Sequence, residues 1–142
     1  MKVTTMILIT VIDNRGGMSF NGRPLSQDIR LRERILRITS GSTLWMDPDS
    51  RRRFGALGGG SIRPDPAYLH KAGAGEYCFV VKEDLAPFVS KAEGLILFHW
   101  NRDYPSDHRL DLDMHQWTLR STYEFQGNSH PKITEERYEK KH

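Results

Sequence analysis

The chain has 142 residues, of which 37% are hydrophobic and 27% are charged, a composition typical of one soluble globular domain spanning residues 1–142. Its 21 basic residues exceed its 18 acidic ones, which permits an anionic partner without requiring one. The single Cys78 excludes an intramolecular disulfide, and no apolar stretch reaches the roughly 18 residues of a membrane span, so we expect a cytoplasmic protein with no membrane contact.

The first part of the chain has the pattern of a strand, a loop and a helix. A β-branched apolar run over residues 6–13 predicts the first strand. Turn-forming residues then predict a long flexible loop over residues 14–24. A helix with one apolar side follows, with Ser26 as its expected N-cap and Asp28 in its first turn.

Short apolar runs alternate with helical segments in the middle of the chain. A buried strand is predicted over residues 43–46, and Asp47 with the following proline predicts the start of a short basic helix ending near Phe54. Residues 61–75 are expected to be irregular around one helical turn. The remaining predictions are strands at 77–81 and 95–100 with a helix at 84–92 between them, so the strands should be parallel and covered on both faces.

The C-terminal part has the alternating pattern of antiparallel strands. Residues 117–125 and 133–139 alternate in polarity around the turn formers 127–129, which predicts a hairpin at the end of the sheet. Before it, Asp111, Asp113 and His115 would share one face of an extended segment. That pattern fits a divalent metal site or a charged strand edge that discourages aggregation, and we expect no metal.

Asp28 is the residue whose position best fits chemistry. It is an isolated acid at the start of an apolar helix, directly after a glycine-rich loop. Burial there would raise its pKa, and its carboxyl group could hold a nitrogen heterocycle by paired hydrogen bonds and assist protonation. The alternative is an acid that stabilises the helix N-terminus and does nothing more.

The order of these elements resembles the dihydrofolate reductase family over most of the chain. The resemblance implies an α/β three-layer sandwich with a mostly parallel central sheet and a C-terminal antiparallel hairpin. It rests on segments similar to the first strand (6–13), the mobile loop (16–18), the approach to the helix-borne acid (25–28), the second strand (43–46), a late helix-to-strand passage (90–97), an acid in the late loop (Asp107) and the final hairpin (124–130 and 138–141).

The resemblance also implies roles for individual residues. Asp28 would be the acid that binds a pteridine and assists catalysis. Gly17 and Met18 would cover the nicotinamide of NADPH, Ser50 would meet a cofactor phosphate, and Arg51, with Arg52 and Arg53, would neutralise the remaining phosphate charge. The residues implied for the substrate pocket, each of which except Arg32 is equally an ordinary core residue, are Ile7, Ile9, Ile29, Arg32, Phe54 and Phe98.

Departures from the family pattern fall mainly on the cofactor side. The sequence has residues 47–50, with two carboxylates, where the family has its Gly-Arg-x-Thr phosphate motif. Val80 and Val81, or the pair after them, replace two glycines, and Arg32 replaces an aromatic or apolar pocket residue. The chain is also shorter between Met46 and Tyr77. Residues 58–60 form a glycine run that could be a displaced phosphate loop or a plain connection.

Two functions follow as hypotheses. One is NADPH-dependent reduction of dihydrofolate or a related pteridine. The other is a catalytically silent binding protein on the same fold, which has lost its nicotinamide site and binds a folate-like ligand or another protein. A nucleic-acid partner has the basic charge in its favour but lacks a recognised module, so we rank it last.

Overall fold

The computed structural model describes residues 5–58 and 60–141; Gly59, in the middle of the glycine run at 58–60, lies outside them. Three α-helices are present in the described part, α1 (Ile29–Ile38), α2 (Pro48–Phe54) and α3 (Tyr68–Lys71), with 3-10 helices at Ala86–Lys91 and Met114–Gln116. The strands are β1 (Met6–Ile12), β2 (Gly17–Phe20), β3 (Arg23–Pro24), β4 (Leu44–Met46), β5 (Ile62–Pro64), β6 (Tyr77–Phe79), β7 (Ala92–His99), β8 (His108–Arg109), β9 (Trp117–Phe125) and β10 (Ile133–Lys140).

A seven-stranded sheet forms the centre of the molecule, in the order β5-β4-β6-β1-β7-β10-β9. β1 pairs in parallel with β6 on one side and with β7 on the other, so that Leu8 lies opposite both Cys78 and Leu95. β10 runs antiparallel to β7 and to β9. The predicted α/β class, with a mostly parallel sheet and a C-terminal antiparallel hairpin, is confirmed.

Apolar layers cover both faces of this sheet. Successive residues of a strand point to opposite faces, and Leu8 and Ile9 accordingly belong to different core clusters. The Leu8 cluster includes Tyr68 and Leu69 of α3, whereas the Ile9 cluster includes residues of α1 and α2. Helices therefore lie on both sides, which gives three layers. No helix in residues 5–58 and 60–141 is both long and apolar enough to cross a membrane.

The predicted long loop over residues 14–24 is wrong, because most of it is a hairpin. β2 and β3 pair across a two-residue turn in which Asn21 and Gly22 both have positive φ, of 51° and 72°. Asn-Gly favours this turn because both residues tolerate the left-handed backbone. β2 also pairs with β8, about ninety residues later in the chain, and completes a small second sheet.

Three element boundaries also differ from prediction. The N-cap of α1 is Asp28 and not Ser26, because the Asp28 side chain accepts the N–H groups of Arg30 and Leu31. The helix expected at 84–92 is a 3-10 helix that is limited to Ala86–Lys91. The strand β5 lies within the segment expected to be irregular. By contrast, α2 has Asp47 as N-cap with a proline at its start, as predicted.

Candidate functional site

A cavity of about 50 Å³ lies where α1 and α2 approach the ends of the central strands. Val11, Phe79 and Trp100 are among its lining residues and lie at or just beyond the carboxyl ends of β1, β6 and β7. Ligands of open α/β sheets bind at this edge, where the connections leave on opposite sides of the sheet. Most of the lining is apolar, and the cavity is small beside the roughly 300–1,000 Å³ of drug-sized sites.

Asp28 borders this cavity, but its carboxylate is bonded within the fold. Oδ1 accepts the backbone N–H groups of Arg30 and Asn128, both at 2.9 Å, and a longer bond from Leu31. Oδ2 accepts the N–H of Ser129 at 2.8 Å and lies 3.0 Å from Nδ1 of His130. The side chain of Asp28 is 0% exposed. Both oxygens are therefore occupied by protein donors.

These contacts decide the ionisation of Asp28. Burial acts to raise its pKa, but the hydrogen bonds from Asn128, His130, Ser129 and Leu31 outweigh burial and hold the pKa well below its ordinary value. The expectation that burial would raise this pKa is therefore wrong. Hydrogen bonds to the charged form favour ionisation, so the group is a carboxylate across the physiological range.

His130 links the carboxylate to the wall of the cavity. Its Nε2 lies 3.1 Å from Ser26 Oγ and 3.0 Å from Tyr104 Oη, and its ring stacks on Trp100 with centroids 4.4 Å apart. Ser26, His130 and Asp28 thus have the connectivity of a hydrolase triad. The ring is only 1% exposed, however, and shares Nε2 between two hydroxyl groups. We interpret these hydrogen bonds as stabilising the fold and not as a catalytic triad.

Arg32 brings a positive charge to the cavity. Its Nη1 donates to Gln27 Oε1 at 3.2 Å, whereas its Nε is buried without a hydrogen-bond partner among the described residues. Arg53 is a second guanidinium in the lining, and its Nε donates to Asp49 Oδ2 at 3.0 Å. The cavity therefore has two guanidinium groups, while its one carboxylate is already engaged.

The predicted site residues separate into two groups. Met18, Asp28, Arg32, Ser50 and Phe54 meet at the cavity.

The other predicted residues lie elsewhere. Ile9 and Phe98 are fully buried in the core, and Ile29 is 42% exposed. Ile7 borders a separate groove near the C-terminal end of β10. Gly17 donates its N–H to Asp13, and the Arg51 guanidinium donates to the carbonyl groups of Gly55 and Leu57.

The region predicted to bind the cofactor phosphates contains carboxylates with partners of their own. Asp47 accepts the N–H of Ser50 at 2.9 Å and its hydroxyl at 2.9 Å, so Ser50 is occupied by the helix cap. The hydroxyl of Tyr68 donates to Glu83, and burial together with Glu83 raises the Tyr68 pKa strongly. Val80 is buried at the end of β6.

Phe79 and Trp100 line the cavity and were not predicted, whereas Arg53, which also lines it, was expected only to neutralise phosphate charge with its two neighbours. A signal for Phe79 and Trp100 is present in the sequence. Phe79 ends a parallel strand and Trp100 directly follows another, and such positions converge at one edge of the sheet. Arg53 carries no such signal, because it is one of three consecutive arginines in a short helix.

Two other features singled out in the sequence, the group Asp111, Asp113 and His115 and the thiol of Cys78, are engaged in contacts within the fold. Asp111 accepts the N–H groups of Leu85 and Ala86, and Asp113 pairs with His115. Within residues 5–58 and 60–141, no group of three or more His, Cys, Asp or Glu side chains is placed to hold a metal. Cys78 is buried, and burial raises the pKa of its thiol to about 12.

Comparison with known proteins bears on the fold. A similar solved structure is the dihydrofolate reductase from Enterococcus faecalis complexed with NADP(H) and RAB-propyl, with a TM-score of 0.69, 11% sequence identity and 96% of both chains covered. No family model and no curated protein matches the sequence. Likeness at this identity is evidence of fold and not of activity. The chain therefore has a dihydrofolate reductase-like fold.

Proposed function

We propose that this protein binds a small molecule on a dihydrofolate reductase-like fold without catalysing NADPH-dependent reduction. The observation that carries the proposal is the saturation of Asp28. A carboxyl group that holds a heterocycle by paired hydrogen bonds needs oxygens facing the ligand. Asp28 instead gives both oxygens to α1, to the turn between β9 and β10, and to His130.

The cofactor side supports the same proposal, because the residues there do not fit NADPH. The Asp47 carboxylate occupies the start of α2 and takes both donors of Ser50, which leaves a negative charge where a phosphate would approach. Glu83 lies against Tyr68 in the same region. Val80 and Val81 carry side chains where a glycine pair would admit the cofactor, and both are buried.

Reduction of dihydrofolate or a related pteridine with NADPH is the second candidate. The fold match to a reductase complexed with NADP(H) favours it. A cavity between α1 and α2 at the carboxyl edge of the sheet, with Met18 and Phe54 in its wall, favours it as well. It would require Asp28 to give up some of its present hydrogen bonds on binding substrate.

An NADPH titration and an oxidation assay with dihydrofolate separate the two candidates. NADPH binding is followed by its fluorescence and oxidation by its absorbance, with the Enterococcus faecalis reductase as a positive control. We expect neither binding nor dihydrofolate-dependent oxidation from the folded protein. Oxidation by the wild type that disappears in a folded Asp28→Asn variant would overturn the proposal and establish the reductase.

A further inference from the structure

Positively charged side chains outnumber negatively charged ones in the lining of the cavity. Its lining includes one carboxylate, Asp28, and two guanidinium groups, Arg32 and Arg53. The carboxylate is saturated by donors from the protein, so little of its acceptor capacity faces the cavity. Arg53 shares its charge with Asp49 through a bond of 3.0 Å. The charge of Arg32 has no carboxylate partner among the described residues.

The hydrogen bonds of the buried side chains also single out Arg32. Three buried side-chain atoms in the described part of the chain have no hydrogen-bond partner, on Ser19, Arg32 and Trp117. Arg32 is the one of these that lines the cavity. A buried donor on a charged group is costly when it stays unpaired, and such groups normally find an acceptor. Arg32 is therefore the lining residue whose charge and buried Nε lack an acceptor, so an acceptor on a ligand beside its guanidinium group would be favourable.

We infer that the cavity binds a small carboxylate with an apolar body, held by Arg32 and packed against the apolar wall. This inference rests on the proposed binding function and specifies its ligand class. The guanidinium fork matches a carboxylate, and such charge-assisted bonds are stronger than neutral ones. Phe54 and Trp100 provide aromatic surface for the rest of the ligand. The preference is opposite to that of a site in which a free acid holds a basic heterocycle.

Three probes of one shape test the sign of this preference. Benzoate, benzamide and benzamidine share a phenyl ring and differ in charge, being negative, neutral and positive. Binding is followed by the indole N–H resonance of Trp100 in two-dimensional NMR spectra, because that residue lies in the cavity wall. We expect benzoate to bind about tenfold more tightly than benzamide, and benzamidine to bind most weakly.

Two variants assign the effect to one side chain. Arg32→Met keeps an apolar stem of similar length and removes the charge, so it should abolish the preference for benzoate and leave benzamide binding unchanged. Arg30→Met is the matched control, since Arg30 lies on the same helix but is exposed and outside the cavity lining. It should keep the wild-type preference.

The outcomes distinguish this inference from the proposed function. Tightest binding by benzamidine, or benzoate affinity that survives Arg32→Met in a folded variant, would overturn the carboxylate site and leave small-molecule binding intact. Failure of all three probes to move the Trp100 resonance would also overturn the carboxylate site, whereas the proposed function is overturned separately, by dihydrofolate-dependent oxidation of NADPH.

Discussion

Among single residues, the hydrogen bonds of the Asp28 carboxylate determine whether the site has an acid free to bind a ligand. Asp28 accepts hydrogen bonds from four backbone N–H groups, those of Arg30, Leu31, Asn128 and Ser129, and it faces the ring of His130. Its charge is buried, so removing it leaves several donors without their acceptor. Asp28 is therefore first a structural group.

The Asp28→Asn variant measures that structural role. We expect it to lower the free energy of unfolding by about 3 kcal/mol in urea denaturation at neutral pH, because a buried charge network loses its acceptor. Asp49→Asn is the control, since Asp49 pairs with Arg52 and Arg53 near the surface. Its loss should cost about 0.5 kcal/mol. Equal urea midpoints for Asp28→Asn and the wild type would refute the role.

The difference in free energy of unfolding between the wild type and Asp28→Asn should change with pH in a definite direction. The native pKa of Asp28 lies below the ordinary value of 3.8, so the unfolded chain takes up the proton first. The stabilisation is complete above that ordinary value and decreases as the pH falls toward the lowered native pKa. The difference in free energy of unfolding between the wild type and Asp28→Asn should therefore become smaller once the pH drops below about 4.

Cys78 gives a second residue-scale prediction. Burial shifts the pKa of its thiol from 9.0 to about 12, which lowers the thiolate fraction at neutral pH by a factor on the order of a thousand. A thiol-specific aromatic disulfide reagent should therefore react with the urea-unfolded protein and scarcely with the native protein. Rapid labelling of the native protein would contradict this packing.

At the scale of elements, the β9–β10 hairpin is fastened to α1 in two places. The turn between its strands donates N–H groups of Asn128 and Ser129 to Asp28. Along β10, the buried Glu135 accepts Nε of Arg34 from α1 at 2.7 Å. The helix and the hairpin therefore constrain each other, and the wall of the cavity depends on both.

Gly127 tests how closely the turn and α1 approach. A Cβ at this position would overlap Asp28 Oδ2 and come within 2.9 Å of both Asp28 Cγ and Ile133 Cδ1. Gly127→Ala should therefore lower the free energy of unfolding by about 2 kcal/mol. Gly60→Ala is the matched control, because no heavy atom lies within 4 Å of its Cβ position. Comparable losses in both variants, measured by thermal unfolding, would argue against this contact.

Across the whole molecule, the sequence predicted those elements whose signals lie within a few neighbouring residues. The apolar strand β1, the Asp47 cap of α2 and the alternating β9–β10 hairpin follow from neighbouring residues. The second sheet does not, since β2 needs a partner strand ninety residues away. Such pairing is determined by tertiary contacts that no short window of sequence contains.

The site was predictable to a similar extent. The start of the helix pointed to Asp28, and the resemblance assigned Phe54 to the substrate pocket and Met18 to the nicotinamide; in the structure all three line the cavity. Whether Asp28 faces a ligand or the protein depends on the Asn128–Ser129 turn, which is about a hundred residues distant. The sequence pattern around Asp28 carries no information on that turn, so the pKa direction could not be predicted.

The ionisation of Asp28 in the native protein is the measurement that best shows whether its carboxylate serves the fold or a ligand. Its carboxyl carbon can be followed by ¹³C NMR as the pH is lowered from neutrality to about pH 2. We expect no titration at or above the ordinary value of 3.8, because the protein's own donors hold the charged form. A midpoint above that value would mean a carboxyl group free to bind a ligand, and would contradict a structural role for Asp28.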